Sequence, residues 1–324
     1  MKQNCRSERE NATALIRHQR PAWLGCQVNM IFPREILDNV ARGFVADGLP
    51  FAPSEAGGKD MFGVTWVYEP EAHGSMVVPG HPMLDEPGDW EERVTLPDLE
   101  QIDWEAVEQR CRPLVRPDQL NATMVFTGFF ERLISLLDFE NAAVAMIDEE
   151  QQEDVLRLFD RLCAYYEVLF EKLRRFCHLD MIIFHDDWGH QRSSFFSADT
   201  CREMLLPSLS RVVDACHRNG MLFDLHCCGK VESLLPVMIE AGVDKWDGQI
   251  LNDIWGLLDQ YGDRICINYN EKVPTATPEE AQAWAASILS HLSLDSAKAP
   301  FIPARSLCPA VLKALREQSE AFYK

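Results

Sequence analysis

The sequence predicts an α/β protein, a (β/α)8 TIM barrel with an N-terminal excursion, that forms one domain over residues 1–324. From residue 120 onward, short apolar runs alternate with amphipathic segments, a rhythm typical of parallel strands joined by helices. No glycine-rich GxGxxG turn follows the first predicted strand, which disfavours a dinucleotide-binding fold. Barrels of this class build their sites at the carboxyl ends of strands, where this chain places Asp186, Asp187, His226, Cys228, Gln249, Asn268 and Asn270.

The amino-terminal part begins with a predicted helix over residues 8–18 and a predicted strand over residues 23–30. Pro33 then opens a second helix, because proline is favoured in the first turn. Residues 47–100 are rich in Gly, Pro, Asp and Glu and contain only short strand-like pieces. We interpret this stretch as an irregular insertion near the barrel mouth, followed by a helix that Asp103 caps.

The regular part of the chain predicts further strands and the helices that connect them. The strands are expected at residues 123–127, 181–184, 221–225, 245–249, 264–268 and 301–303. The helices are expected at residues 150–177, at residues 197–219 with a break at Pro207, and from Pro278 onward.

A pair of metal-ligand side chains ends the strand at residues 221–225. Side chains alternate across a strand, so His226 and Cys228 project to one side while Cys227 points away. An imidazole and a thiolate are ligands that zinc favours. The alternative is that His226 packs against a polar partner and both cysteines are buried as small apolar side chains.

A third ligand is available after the last predicted strand. Cys308 lies in the loop after residues 301–303, and barrel closure would bring this loop to the same mouth. A His-Cys-Cys set leaves zinc one open position, as in catalytic sites. Cys227 or Cys266 could substitute in principle, although strand alternation argues against Cys227. Of the adjacent Asp186 and Asp187, one is expected to face the pocket as a base or polar contact and the other to cap the following turn.

Composition excludes several classes of partner. The net charge is −20, whereas nucleic acid or an anionic membrane surface requires a basic footprint. The eleven cysteines have no disulfide-framework spacing, and no apolar run approaches the ~20 residues that span a bilayer. With no signal-peptide pattern at the amino terminus, a cytoplasmic location is expected.

Several stretches resemble the uroporphyrinogen decarboxylase superfamily, and within it the corrinoid-linked zinc methyltransferase branch. They are HDDWGHQ at 185–191, the helix from Ser197 through Pro207, HCCGKVESLLPVMIEAGVDKWDGQ at 226–249, TPEEA at 277–281, and residues 61–104. The chain departs from the family where the decarboxylase motif RQAGR is absent around Arg17 and Arg20. It departs again at Ile267-Asn268-Tyr269-Asn270, where relatives often have a glycine-rich turn.

The resemblance implies a barrel that holds zinc on His226, Cys228 and Cys308, with cobalamin carried by a separate corrinoid protein. We predict candidate substrate contacts at Trp188, Gln191, Gln249, Asn268 and Asn270. Such enzymes transfer a methyl group from a small methylated donor to cobalamin, or from methylcobalamin to a thiol such as coenzyme M, and both directions stay open. Further alternatives are a metal-free decarboxylase-like lyase, disfavoured by the missing arginines, and a non-catalytic binding barrel. Barrels of this family are often homodimers.

Overall fold

The computed structural model describes residues 6–69, 74–273, 277–294 and 298–324. Its strands are β1 Val28–Met30, β2 Gly58–Lys59, β3 Thr65–Glu69, β4 Gly74–Val77, β5 Leu120–Val125, β6 Met181–His185, β7 Leu222–His226, β8 Lys245–Asp247 and β9 Cys266–Ile267. Its α-helices are α1 Glu8–Ile16, α2 Leu37–Arg42, α3 Trp90–Arg93, α4 Trp104–Cys111, α5 Phe129–Leu137, α6 Phe139–Ala145, α7 Gln152–Cys177, α8 Ala198–Met204, α9 Leu206–Arg218, α10 Leu235–Glu240, α11 Ile254–Tyr261, α12 Pro278–Ser290 and α13 Pro309–Phe322. No helix among these residues is long and apolar enough to cross a membrane.

The main sheet is parallel, in the order β1-β5-β6-β7-β8-β9. Its six strands among the described residues do not close into a ring, so the predicted α/β class is confirmed and the eight-stranded barrel is not. The segment at residues 301–303 makes only isolated parallel bridges, from Phe301 to Asn268 and from Pro303 to Cys26. Pro303 has no N–H to donate, which explains why a continuous ladder does not extend through this segment.

The register of the sheet aligns the carboxyl ends of three neighbouring strands. His185 of β6 is paired with His226 of β7, and His226 is paired with Asp247 of β8. Paired residues of parallel strands project to the same face, so these side chains form one row. Two residues earlier, Asp224 and Lys245 form a second row on the same face. This register brings residues far apart in sequence to one edge of the sheet.

The predicted insertion contains a small antiparallel sheet, β2-β3-β4, outside the main one. Phe62 and Trp66 are buried, and the Phe62 ring lies edge-on to Tyr165 of α7 with centroids 5.2 Å apart. These aromatics therefore belong to the main core and do not form a separate one. Arg132 of α5 anchors the insertion, because its guanidinium donates to Asp60 at 2.5 Å and to Asp38 at 2.8 Å.

Most predicted elements are present with shifted ends. The long helix is α7, and Asp103 caps α4 by accepting from the Ala106 N–H at 3.0 Å. The predicted break near Pro207 is confirmed, since α8 ends at Met204 and α9 begins at Leu206. The segment after the HCCG turn is a 3-10 turn followed by the short α10.

Candidate metal centre

Four side chains that can bind a metal converge where β6 and β7 end. One ligand atom from each of His185, Asp187, His226 and Cys228 lies within 4.8 Å of the others. Hereafter these four residues are called the metal group. Two imidazoles, one thiol and one carboxylate are a donor set that suits zinc. The sequence predicted His226, Cys228 and a carboxylate here, and the structure brings them together.

The turn after β7 aims its two cysteines in different directions. The Cys228 Sγ lies 3.5 Å from the His226 Nε2, so these two predicted ligands face each other. Cys227 is fully buried, and its sulfur accepts the Trp188 backbone N–H at 3.2 Å. Cys227 is therefore a core residue outside the metal group, as strand alternation predicted.

Asp247 contacts the other nitrogen of His226. Its Oδ2 lies 3.3 Å from the His226 Nδ1, while its Oδ1 accepts from the side chains of Asn268 at 2.6 Å and Asn270 at 3.2 Å. A carboxylate on one imidazole nitrogen fixes the tautomer that presents the other nitrogen to a metal. Burial opposes ionisation of Asp247, but nearby Lys245 and His226 outweigh it and lower the pKa of this carboxyl. Asp247 is therefore an anion at neutral pH.

The same contact changes the ionisation of His226. Burial alone would lower its pKa, but the hydrogen bonds to Asp247 and Cys228 outweigh burial and raise the pKa well above its usual value. The metal-free imidazole therefore carries a proton at neutral pH. Metal binding must displace this proton, because only the unprotonated nitrogen is a ligand.

Cys228 is held by two polar neighbours. Gln249 donates from its Nε2 to the Cys228 sulfur at 3.2 Å and accepts the Gly229 N–H at 2.8 Å. Asp187 accepts the Cys228 backbone N–H at 2.8 Å. Burial raises the pKa of the Cys228 thiol, partly offset by His226. Gln249 thus contacts the metal group, whereas Asn268 and Asn270 contact its neighbour Asp247. These three residues, predicted to contact substrate, therefore also position the side chains around the metal group.

His185 is oriented by a chain of polar contacts that reaches the insertion. Its Nδ1 lies 2.8 Å from Glu131 of α5, and Glu131 also accepts from Arg42 of α2 at 2.9 Å. The Arg42 guanidinium lies over the Trp66 ring of β3, 4.5 Å from its centroid. Burial opposes ionisation of Glu131, but Arg42 and His185 outweigh it and hold the pKa of this carboxyl below its usual range. The His185 and His226 rings stack with centroids 4.7 Å apart.

Asp186 caps a helix and turns away from its neighbour Asp187. Its carboxylate accepts the backbone N–H groups of Phe129, Phe130 and Glu131 at the start of α5, and the Trp188 indole N–H at 2.9 Å. Burial raises the pKa of Asp186 to about 7, against the effect of these donors. Only Asp187 of the two aspartates belongs to the metal group, whereas the predicted cap of the following turn is instead a cap of α5. The helix it caps precedes Asp186 in sequence.

The remaining predicted site residues are not members of the metal group. Trp188 is fully buried, and Gln191 is exposed in a bend. Cys308 is half-buried at the N-cap of α13 and is not one of the four converging residues. Its predicted role as third ligand stays a prediction.

Sequence reasoning missed His185, Glu131, Arg42 and Asp247. A signal existed for His185, since it lies two residues before Asp187 and alternation places both on one side. The role of Asp247 depends on the pairing of β7 with β8, and that of Arg42 on how the insertion packs. Neither relation has a local sequence signature.

An aromatic surface adjoins the metal group on the His185 side. The Phe126 and His185 rings lie 5.6 Å apart, and Phe44 lies 5.0 Å from Phe126. Phe32 completes the cluster, 6.0 Å from Phe44. Phe44 is 40% exposed, which gives this surface a face accessible from solvent. A metal site beside an apolar wall suits a small molecule with one polar and one apolar part.

The fold is similar to that of a solved structure, a methyltransferase from Methanosarcina mazei. The TM-score is 0.67 and the sequence identity 16%, over 99% of this chain and 100% of that chain. At this identity the similarity shows a common fold. No family model matches the chain. No curated protein sequence matches it either.

Proposed function

We propose that the protein is a zinc-dependent methyltransferase that moves a methyl group between a small O-methylated or similar donor and the cobalamin of a separate corrinoid protein. The observation that carries this proposal is the metal group, at the carboxyl ends of neighbouring parallel strands. The fold shared with a methyltransferase supports the same reaction class. A cytoplasmic location and a homodimer belong to the proposal as expectations.

The proposed zinc ligands are His226, Cys228 and one of Asp187 and His185. In a second ligand set Cys308, at the N-cap of α13, takes the place of that third residue. The two sets differ in their response to substitution: loss of Cys308 leaves zinc in place in the first and removes it in the second. Three protein ligands would leave one position for substrate.

When bound, zinc would supply Lewis acidity, which polarises the heteroatom of a methyl donor or lowers the pKa of a thiol acceptor. The chain's own residues orient and shield this site. Asp247 holds the Nδ1 proton of His226, and Gln249 restrains the Cys228 sulfur. The surface of Phe32, Phe44 and Phe126 would exclude water from one side and pack against the apolar part of the donor.

We also propose that the sheet closes into a barrel. Residues 301–303 would form the further strand that joins the β9 end to the β1 end. Phe301 exchanges backbone hydrogen bonds with the β9 end, accepting from Tyr269 at 2.8 Å. On the other side, Cys26 donates to Ile302 at 2.9 Å and accepts from Ala304 at 2.8 Å. These bonds support closure of the sheet through the segment that precedes Cys308.

An anaerobic spectroscopic assay tests the proposed reaction. Zinc-loaded protein is mixed with reduced cobalamin and a panel of small methoxylated compounds, and methylcobalamin formation is followed by absorbance. The reverse arm mixes methylcobalamin with thiols, including coenzyme M. Turnover in the first arm that Cys228→Ala abolishes would support the donor-side reaction, and turnover in the second arm the thiol-side alternative. Zinc-loaded protein inactive in both arms, or equal rates from wild type and Cys228→Ala, would contradict methyl transfer.

A further inference from the structure

A cavity of about 240 Å³ lies against one face of the main sheet. Residues of β1, β6, β7 and β8 line its wall together with the segment around Phe301, whereas no described member of the metal group does. An apolar cavity of about 150 Å³ is large enough to hold benzene. This cavity therefore has room for a small organic molecule that carries a head group.

The carboxylates on the wall are already occupied by neighbouring groups. Asp224 forms a buried ion pair with Lys245, whose Nζ lies 2.6 Å from the Asp224 Oδ2. Asp247 contacts the His226 Nδ1 through one oxygen and accepts from two asparagine side chains through the other. Because Lys245 balances Asp224 and the protonated His226 balances Asp247, the wall has no excess of negative charge.

The remaining charged group on the wall is Arg305. Its guanidinium makes no hydrogen bond or ion pair among the described residues. It is close enough to Asp247, which also lines the cavity, to help lower the pKa of that carboxyl. Of the described lining residues only Arg305 is exposed, so it lies where the cavity meets solvent. With the other charges paired, Arg305 gives the wall a net positive charge.

Gln27 supplies a second hydrogen-bond donor on the wall. Its Oε1 accepts from the Gln119 Nε2 at 2.9 Å, and its own Nε2 donates to no acceptor among the described residues. Much of the remaining wall is apolar and includes Met30, Ile183 and Phe301. A matched ligand thus has an acceptor head group and a short hydrocarbon part, and the positive charge of the wall favours an anionic head group.

We propose that this cavity binds a small carboxylate, with its carboxyl group on the Arg305 guanidinium and the Gln27 amide and its hydrocarbon part against the apolar wall. The parallel bridge between Cys26 and Pro303 supports this pairing, because it places Gln27 and Arg305 on adjacent segments of the backbone. The site is separate from the metal group and independent of the proposed methyl transfer.

Isothermal titration calorimetry of the full-length, metal-free protein tests this site with three probes of similar size, benzoate, benzyl alcohol and benzylammonium. Benzoate is expected to bind one per chain and at least about tenfold tighter than the alcohol, because an ionised acceptor makes the stronger hydrogen bonds to a guanidinium. Benzylammonium is expected not to bind, since Arg305 repels a cation. Titration at two temperatures ensures that binding gives heat at one of them, because burial of apolar surface makes the binding enthalpy depend on temperature.

Two variants locate the binding. Arg305→Gln leaves no buried charge behind, because Arg305 is exposed, and is expected to weaken benzoate binding at least about tenfold while the affinity for benzyl alcohol stays the same. Arg112→Gln, at an exposed position outside the cavity wall, is the matched control and should bind as wild type does. Val28→Phe fills part of the cavity without altering a charge and is expected to abolish binding of benzoate and benzyl alcohol.

Equal affinity for benzoate and benzyl alcohol, or tighter binding of benzylammonium, would contradict recognition of an anion. Undiminished benzoate binding in Arg305→Gln would show that Arg305 does not contact the head group, and undiminished binding in Val28→Phe would place the probe outside the cavity. Absence of heat from benzoate at both temperatures, at concentrations up to about 10 mM, would overturn the proposal. None of these outcomes depends on zinc or on methyl transfer.

Discussion

At the residue scale, Asp247 is the carboxylate on which the orientation of His226 depends. We expect Asp247→Asn to lower zinc affinity about 10–100-fold, because the neutral amide no longer stabilises the metal-binding tautomer. Competition with a chromogenic chelator measures this affinity. The matched control is Asp244→Asn, since Asp244 forms a similar pair with His217 at 2.7 Å outside the metal group. Equal losses in the two variants would assign the effect to general destabilisation.

Zinc affinity should rise with pH. In the metal-free protein the pKa of His226 lies well above its usual value and the pKa of Cys228 is also raised, so both ligands are protonated at neutral pH. Binding displaces up to two protons, and the affinity should increase by up to about 100-fold per pH unit until the ligands titrate. Chelator competition between pH 6 and 8 checks this. An affinity that does not change over that interval would show that His226 and Cys228 are not the ligands.

The proximity of His226 and Cys228 was predictable from sequence because strand alternation relates the two positions locally. Asp247 was not, because its relation to His226 exists only once β7 and β8 are paired. Alternation predicted that Asp186 and Asp187 point in different directions. That Asp186 accepts N–H groups of α5 depends on how this helix packs, which the local sequence does not show.

At the scale of elements, the turn after β7 requires glycine at position 229. Gly229 has a φ of +89°, and an added Cβ would lie 2.2 Å from the Gly189 carbonyl carbon. We expect Gly229→Ala to cost about 3 kcal/mol in the free energy of unfolding, through strain and overpacking. It should also weaken zinc binding, because Cys228 must shift. Chemical denaturation and chelator competition measure the two effects.

Gly220→Ala is the control for this prediction. Gly220 has a φ of +72° but nothing within 4 Å of an added Cβ, so only the backbone strain remains, about 1 kcal/mol. Zinc affinity should be unchanged. If Gly229→Ala and Gly220→Ala lower the free energy of unfolding by the same amount, the close contact between Gly229 and Gly189 does not contribute to stability.

Hydrophobic periodicity predicted which helices and strands the chain forms. It did not predict where they end or whether the sheet closes into a barrel. The apolar stripe of α7 runs for many turns and predicts that helix to within two residues. The last predicted strand was only three residues long, and the structure gives it single bridges at Phe301 and Pro303. A missing N–H at Pro303 interrupts pairing in a way that hydrophobicity does not reveal.

At the scale of the whole molecule, one buried arginine joins the insertion to the main fold. Arg132 is fully buried between Asp38 and Asp60, and Asp60 also accepts the Trp66 indole N–H. We expect Arg132→Met to lower the free energy of unfolding by about 3–5 kcal/mol, because it leaves two buried carboxylates unpaired. Urea denaturation measures the loss. Limited proteolysis should show earlier cleavage within the 47–100 insertion.

An exposed ion pair provides the comparison. Arg93 contacts Asp85 at 2.7 Å, but the Asp85 side chain is 86% exposed, so Arg93→Met should change stability by no more than about 1 kcal/mol. A similar effect from both substitutions would contradict the anchoring role of Arg132.

The central claim is that His226 and Cys228 hold a zinc ion at the carboxyl ends of the strands. The most direct test is the metal content of the purified protein by mass spectrometry, with wild type beside His226→Ala, Cys228→Ala and Cys308→Ala. Cys216→Ala, a buried cysteine of α9 outside the metal group, is the control. We predict one zinc per chain in wild type and in the control, and none in His226→Ala or Cys228→Ala. The zinc content of Cys308→Ala distinguishes the two ligand sets. No zinc in wild type, or zinc retained in His226→Ala and Cys228→Ala, would contradict the account.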